Sequence, residues 1–69
     1  MNHRPAKYAV GDLVRFREGK IDWEVTWAEP HKVLTGIQML VLRSGMSDRI
    51  QHTTNQHVIS REEALNAQG

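Results

Sequence analysis

The sequence predicts an all-β domain, a small five-stranded barrel that ends in a short C-terminal helical turn. Apolar and polar residues alternate strictly from Ile21 to Trp27, as they do in a strand with one buried side. Further short apolar runs are separated by turns that contain glycine, and no long segment has the apolar repeat of a helix. Closing such a sheet removes its exposed edges, which is why a barrel is expected.

The chain opens with a polar segment, residues 1–7, which contains Pro5 and is predicted to be a flexible N-terminal arm. Gly11-Asp12 is typical of a turn, and Leu13–Phe16 is typical of a short strand. Residues 17–20 are polar and include a glycine, so we expect them to join this strand to the next one as a hairpin.

The next strand holds both tryptophans of the chain. Its apolar positions share one side, and they are Ile21, Trp23, Val25 and Trp27. One helix face would also bring the tryptophans together, but Lys20 and Glu24 would then interrupt its apolar stripe. The β-branched and aromatic content favours a strand, which Pro30 ends. The pattern leaves open whether both tryptophans are core residues, both face a partner, or Trp27 lies at the barrel mouth and Trp23 inside.

The second half of the chain supplies the remaining strands. Residues 37–42 are apolar at five of six positions, which indicates a strand covered on both faces. A second turn is expected at residues 44–47. Residues 48–57 are polar except for Ile50, so a strand there would be an exposed or edge strand, and Val58-Ile59 would supply a short final one.

A capping box begins the helical turn. The Ser60 hydroxyl is expected to accept a hydrogen bond from the backbone N–H of Glu63, whose side chain would reach back to the backbone of residue 60. Ala64 and Leu65 would then face inward.

Sixty-nine residues make one small domain, predicted to span residues 8–65, with a tail at residues 66–69. A chain this short builds a core that barely offsets the conformational entropy lost on folding. The apolar residues predicted to form most of that core are Val10, Val14, Phe16, Trp23, Val25, Met39, Val41, Ile50, Val58 and Leu65.

Composition excludes several classes of function. There is no cysteine, so disulfides, thiolate metal sites and cysteine catalysis are excluded. No apolar run approaches the ~20 residues that span a bilayer, and no apolar stretch typical of a signal peptide follows the N-terminus. We therefore expect no membrane association and a cytoplasmic location.

The net charge is +1, with +3 on residues 1–20 and −2 on residues 21–69, which is typical of a solvated surface of mixed sign.

The four histidines are the first candidates for chemistry. His52 and His57 would lie on opposite faces of an extended strand, and no His-x-x-x-His pair is present. A triad of Ser60, His57 and a carboxylate lacks the strained nucleophile turn that such sites use. The glycines are scattered singly, so no phosphate-binding loop is indicated. We expect no enzyme activity, no metal site and no cofactor.

A nucleic-acid interface has a stronger basis. Small barrels stack bases on exposed rings and hold phosphates with basic side chains. The rings available are Tyr8, Trp23 and Trp27. The basic side chains available are Arg15, Arg17, Lys20 and Arg43. The alternative is that the tryptophan side of the strand is simply one wall of the core.

The motif Val10-Gly-Asp-Leu-Val-Arg-Phe16, followed by Trp23-Glu-Val25, resembles the opening of SH3-like small barrels, including Tudor-like and KOW-type domains. The resemblance covers residues 8–65 and implies a five-stranded barrel. With Val41-Leu-Arg-Ser44 and a capped turn ending at Leu65, the chain is also similar to short uncharacterised proteins of actinobacterial phages and their hosts. The resemblance implies a fold and does not by itself imply a function, since one fold carries many functions.

We expect a non-catalytic binding or adaptor module that acts on a protein partner, in the host cytoplasm if it is phage-encoded. One alternative is a nucleic-acid-binding module, and another is a self-assembling structural component such as a capsid-associated protein. The candidate contact residues are Tyr8, Arg15, Arg17, Lys20, Trp27 and Arg43.

Overall fold

The computed structural model describes residues 6–68. Its strands form one antiparallel sheet and are β1 (Leu13–Phe16), β2 (Trp23–Pro30), β3 (Gln38–Ser44), β4 (Ile50–Thr54) and β5 (Val58–Ser60). A helix, α1 (Arg61–Gln68), follows directly. The strand order is β4-β3-β2-β1-β5, which confirms five antiparallel strands with a short C-terminal helix. β4 and β5 stand at opposite ends of this order, so pairing among the described residues does not close the sheet.

A tight turn leads into β1. Gly11 has a φ of 99°, in the left-handed region that glycine enters without steric cost. Its N–H donates to the carbonyl of Val25 at 2.8 Å, and the N–H of Val25 donates to the carbonyl of Asp12 at 2.9 Å. The turn predicted at Gly11-Asp12 lies one residue earlier, at Val10-Gly11, where the Asp12 N–H donates to the Ala9 carbonyl at 3.0 Å. The bonds to Val25 hold it against β2.

A β-bulge divides β2 into two halves of opposite phase. The pairing register with β3 shifts between Val25 and Trp27, so Thr26 is an extra residue on β2. Because side chains alternate along a strand, an extra residue reverses which positions face the core. Trp23 and Val25 are buried before the bulge, and Ala28 packs against the core after it. Trp27 therefore points to the other face of the sheet.

The core lies on one side of the sheet, which we call the inner face; the other side is the outer face. The buried residues that form the core are Tyr8, Val14, Trp23, Val25, Leu40, Leu42 and Val58. The ring of Phe16 packs edge-to-face against that of Trp23, with the ring centres 5.7 Å apart. The helix α1 packs against β1 and β5 and buries Ala64.

The predicted core is correct in its centre and wrong at its margins. The positions confirmed are Val14, Trp23, Val25 and Val58, with Phe16 packed against them. The positions that are instead exposed are Val10 in the turn, Ile50 at the start of β4, and Leu65 on α1. Met39 and Val41 are half-buried on the outer face, because Leu40 and Leu42 occupy the inner positions of β3. Residues 37–42 are almost all apolar, so their pattern could not fix the phase of this strand.

A buried polar cluster ties the N-terminal segment to the start of β3. Asn55 is 1% exposed; its Oδ1 accepts from the N–H of Gln38 and its Nδ2 donates to the carbonyl of Ala6, both at 2.9 Å. The Gln38 side chain accepts from the N–H of Tyr8 at 2.8 Å and donates to its carbonyl at 2.6 Å. Of the predicted N-terminal arm, residues 1–5 lie outside the described residues, and Ala6 is held by this cluster.

The capping box is confirmed at one of its two bonds. The backbone N–H of Glu63 donates to the Ser60 hydroxyl at 3.1 Å, which satisfies a free donor at the start of α1. The helix continues to Gln68, so the predicted tail is helical at residues 66–68. Its first turn carries Glu62 and Glu63, and acidic residues there interact favourably with the helix dipole.

Candidate functional site

A band of apolar and weakly polar side chains crosses the outer face of β2, β3 and β4. We call it the Trp27 face, and its residues are Trp27, Met39, Val41, His52 and Thr54. Trp27 lies directly opposite Val41, and Val41 lies opposite His52. Side chains opposite one another on antiparallel strands have Cβ atoms about 4.5–5.5 Å apart, so this row forms a continuous surface. Trp27 itself is 40% exposed.

A groove of about 440 Å³ lies along the Trp27 face. The side chains on its lining include Trp27, His31, Met39, His52 and Thr54. The groove is lined by large polarisable groups: one indole, one thioether and two imidazoles. Among the residues described, no carboxylate lines it. Such a lining suits an apolar or aromatic side chain of a partner.

His31 is fixed at the border of this groove. Its Nδ1 accepts hydrogen bonds from the backbone N–H groups of Val33 at 3.1 Å and Leu34 at 3.0 Å. Its own backbone N–H donates to the carbonyl of Ile37 at 2.8 Å, which closes the connection from β2 to β3. Since Nδ1 acts as the acceptor, a neutral ring carries its proton on Nε2 and offers a donor there.

Arg15, a predicted phosphate contact, is engaged in an ion pair. Its Nε donates to Asp22 Oδ1 at 2.6 Å, and its side chain is only 12% exposed. Arg61 approaches the other carboxylate oxygen of Asp22 at 3.0 Å. The hydrogen bond from Arg15, followed by the charges of both guanidinium groups, lowers the pKa of Asp22. Arg15 thus links β1 to the residue that precedes β2, and its guanidinium group is already engaged by a carboxylate.

Arg43 lies on the outer face, two residues along β3 from Val41. Its Nη2 donates to Asp48 Oδ1 at 2.9 Å, and this bond is the main reason that the pKa of Arg43 is raised. Glu24 is its cross-strand neighbour on β2 and adds a second negative charge. Arg43 therefore shares a face with Trp27 but is surrounded by carboxylates.

The other predicted contacts lie elsewhere. Arg17 is exposed, and its Nε donates to the carbonyl of Gln56 at 3.0 Å. Lys20 is exposed in the connection between β1 and β2. Tyr8 is a correction to the sequence prediction, because its ring lies in the core and is not accessible to a stacked base. That burial is the largest cause of its raised pKa.

Of the six predicted contacts, the structure places only Trp27 and Arg43 on the Trp27 face or beside it. It adds His31, Met39 and His52, which sequence reasoning did not assign to a site. In the sequence, only the every-second-residue spacing of Ile50, His52 and Thr54 could have placed His52 on a shared face. That spacing is a weak indication, because polar residues occupy both faces of this strand.

Comparison with protein-family models, curated proteins and solved structures finds no match for this chain. Within the described residues, no helix is both long enough and apolar enough to cross a membrane. Over the same part of the chain, no three or more histidine, cysteine or acidic side chains are grouped so that they could hold a metal ion.

Proposed function

We propose that the protein is a non-catalytic binding module whose Trp27 face docks a protein partner. The observation that carries the proposal is the position of Trp27, which is 40% exposed although it belongs to a central strand. Pairing of Trp27 with Val41 of β3 and the bulge before Trp27 fix the side of the sheet from which the indole projects. A ring held in place before binding loses little conformational entropy, and tryptophan is enriched among residues that dominate interface energetics.

The surroundings of Trp27 also fit a protein partner. Protein interfaces have a centre depleted in charge and a polar rim. The Trp27 face has no charged side chain, whereas Glu24, Glu29 and Arg43 are exposed around it on the same strands. The groove would take an apolar or aromatic side chain of the partner, and His31 Nε2–H would donate to an acceptor beside it.

The nucleic-acid alternative has less support. Arg15 and Arg43 are paired with aspartates, and the ring of Tyr8 is buried. Arg17 and Lys20 remain exposed, but two cations provide a small share of the phosphate contacts that specific nucleic-acid binders make. Oligonucleotide binding that fades steeply with salt and disappears in Arg17→Glu would favour this alternative.

We further propose that the sheet is a partly open barrel of the SH3-like kind. The strand order supports this, because β1 pairs with both β2 and β5 and so brings the first and last strands together. The bulge supports it too, since bulges increase local twist and bend a strand so that it serves two halves of a sheet. An experimental structure with β1 to β5 in one open, uncurled layer would contradict it.

The setting we propose is the cytoplasm, or the host cytoplasm if a phage encodes the chain. The lack of cysteine agrees with a reducing compartment, in which disulfides do not stabilise small domains. Cell fractionation that finds the chain outside the cytoplasm would contradict this setting.

Two methionines provide a matched pair for testing the binding surface. Met39 lies on the Trp27 face, and Met46 is 90% exposed in the connection between β3 and β4. A photo-crosslinking amino acid at position 39 should join the chain to its partner in cells, whereas the same group at position 46 should not. Equal crosslinking from both positions would argue against a localised surface.

The crosslinked partner is then purified and titrated. Trp27→Ala should weaken its binding by about thirtyfold, which corresponds to the loss of a dominant interface residue. Met46→Ala should bind as the wild type does, and circular dichroism should show that both variants are folded. A folded Trp27→Ala variant with wild-type affinity would refute the proposal.

A further inference from the structure

The free edge of β4 lacks the features that protect strand edges. Proteins usually guard an exposed edge with charged side chains, proline, a bulge or a covering element. β4, Ile50-Gln-His-Thr-Thr54, contains no charged residue and no proline, and it pairs with β3 in an unbroken register. The opposite edge of the sheet is different, because β5 has only three residues and α1 packs against it. Of the two edges, β4 is therefore the one less protected against pairing with another strand.

Three residues of β4 direct their backbone N–H and C=O groups away from β3, and they are Ile50, His52 and Thr54. The backbone bonds at the two ends of β4 establish this. Arg49, just before the strand, and Asn55, just after it, each form a backbone hydrogen bond with β3, at 2.9 and 3.0 Å. Backbone direction alternates along an antiparallel strand, so the even-numbered residues between them point outward. Their side chains lie on the outer face.

We propose that two copies of the chain pair along this edge, β4 against β4, antiparallel about a twofold axis at His52. In this register His52 lies opposite His52 of the second copy, and Ile50 lies opposite Thr54. The His52 pair exchanges two backbone bonds, and the Thr54 N–H donates to the Ile50 carbonyl of the second copy. The Thr54 carbonyl already accepts from the His57 N–H of its own chain at 3.1 Å, so the Ile50 N–H of the second copy would be its second donor. A twofold axis suits such pairing, because an antiparallel strand centred on one residue is complementary to itself.

The charges near β4 are compatible with this register. The strand itself is uncharged. Beyond its ends the chain turns, at Asp48 before the strand and at Asn55-Gln56 after it. Asp48 and Arg49 of one copy would therefore lie nearest the uncharged turn of the other. No like charges therefore meet across the edge. An unrelated peptide would gain the same backbone bonds, but every copy of this chain presents a neutral edge of matching length and register.

The dimer would also extend the Trp27 face. The row from Trp27 through Val41 to His52 would continue into the same row of the second copy, in reverse order. Two exposed indoles would then lie on one side of a continuous sheet. This dimer does not depend on the proposed function, since it forms from the chain alone.

Sedimentation of the purified chain tests the dimer without any other partner. The average mass should rise from one chain towards two between about 10 µM and about 1 mM, the range expected for a small interface. His52→Lys places two lysine side chains opposite each other, and His52→Glu places two glutamates. Each variant alone should dimerise at least about fivefold more weakly than the wild type. Met46→Lys, which adds the same charge away from β4, should leave dimerisation unchanged.

Mixing the two His52 variants tests whether the twofold axis of the dimer lies at His52. An equimolar mixture should dimerise more tightly than either variant alone, because lysine then faces glutamate. Amide exchange should show protection at residues 50, 52 and 54 that increases with concentration. A single-chain mass throughout the concentration range, or protection of a different segment on dimerisation, would overturn the proposal. Failure of the crosslinking experiment above would not affect these results.

Discussion

Replacing Asn55 with alanine tests whether one buried side chain holds the N-terminal segment against β3. That side chain accepts from the Gln38 N–H and donates to the Ala6 carbonyl, both at 2.9 Å. In Asn55→Ala the half-buried Gln38 N–H loses its partner, which costs about 1–3 kcal/mol for an unsatisfied donor. Ala6 is exposed, so water replaces its lost bond and only the net value of about 1 kcal/mol is forfeited. We expect a total loss of about 2–4 kcal/mol in the free energy of unfolding.

That loss is large for a domain of 69 residues, whose whole stability is about 3–10 kcal/mol. Urea unfolding at low protein concentration, followed by tryptophan fluorescence, should show a lower midpoint with an unchanged slope. Gln51→Ala is the matched control, because it removes an amide side chain from an exposed position on β4. The control should change stability by less than about 0.5 kcal/mol. If both variants shift the midpoint equally, the buried cluster does not have the role assigned to it.

Two further substitutions test the ion pair and the helix cap. Arg15 and Arg61 lower the pKa of Asp22, so its contribution to stability is present above the unfolded-state pKa of about 3.9 and is lost as pH falls through the lower folded-state value. Asp22→Asn should therefore reduce the urea midpoint at neutral pH and have a progressively smaller effect as pH falls below about 3.9; an equal reduction at every pH would contradict this. Ser60→Ala removes the acceptor for the Glu63 N–H and should cost about 1 kcal/mol, whereas Ser60→Asp should retain most of the cap. Unchanged stability and amide exchange in α1 of Ser60→Ala would show that the cap contributes nothing.

The features of the fold that the sequence predicted correctly depend on local patterns. Alternation placed Trp23 and Val25 on one side of a strand, and the spacing of Ser60 and Glu63 predicted the cap. The phase of β3 could not be predicted, because nearly every residue there is apolar and both faces are partly covered. The buried amide of Asn55 had no sequence signal, since its partners lie 17 and 49 residues away along the chain.

The candidate site was predictable only at Trp27. The identification of Trp27 as the more exposed tryptophan agrees with the structure, although it arises from the bulge rather than from a barrel mouth. The bulge depends on how β2 pairs with β3, which no local pattern of residues 23–30 reveals. Basic residues were predicted as contacts by charge alone, and the pairing of Arg15 with Asp22 had no signal in the sequence because it depends on how β1 and β2 are brought together.

The bulge at Thr26 also determines how β2 tolerates changes in length. Deleting Thr26 would join Val25 to Trp27 in regular pairing and leave every other side chain of the strand on its present face. Deleting Glu24 instead would turn Trp23 from the core to the solvent, because one residue is half of the strand repeat. Two positions of β2 that are separated by a single residue should thus differ in their tolerance of a deletion. The core half and the exposed half of β2 are free to diverge separately, with the bulge absorbing a change of one residue between them.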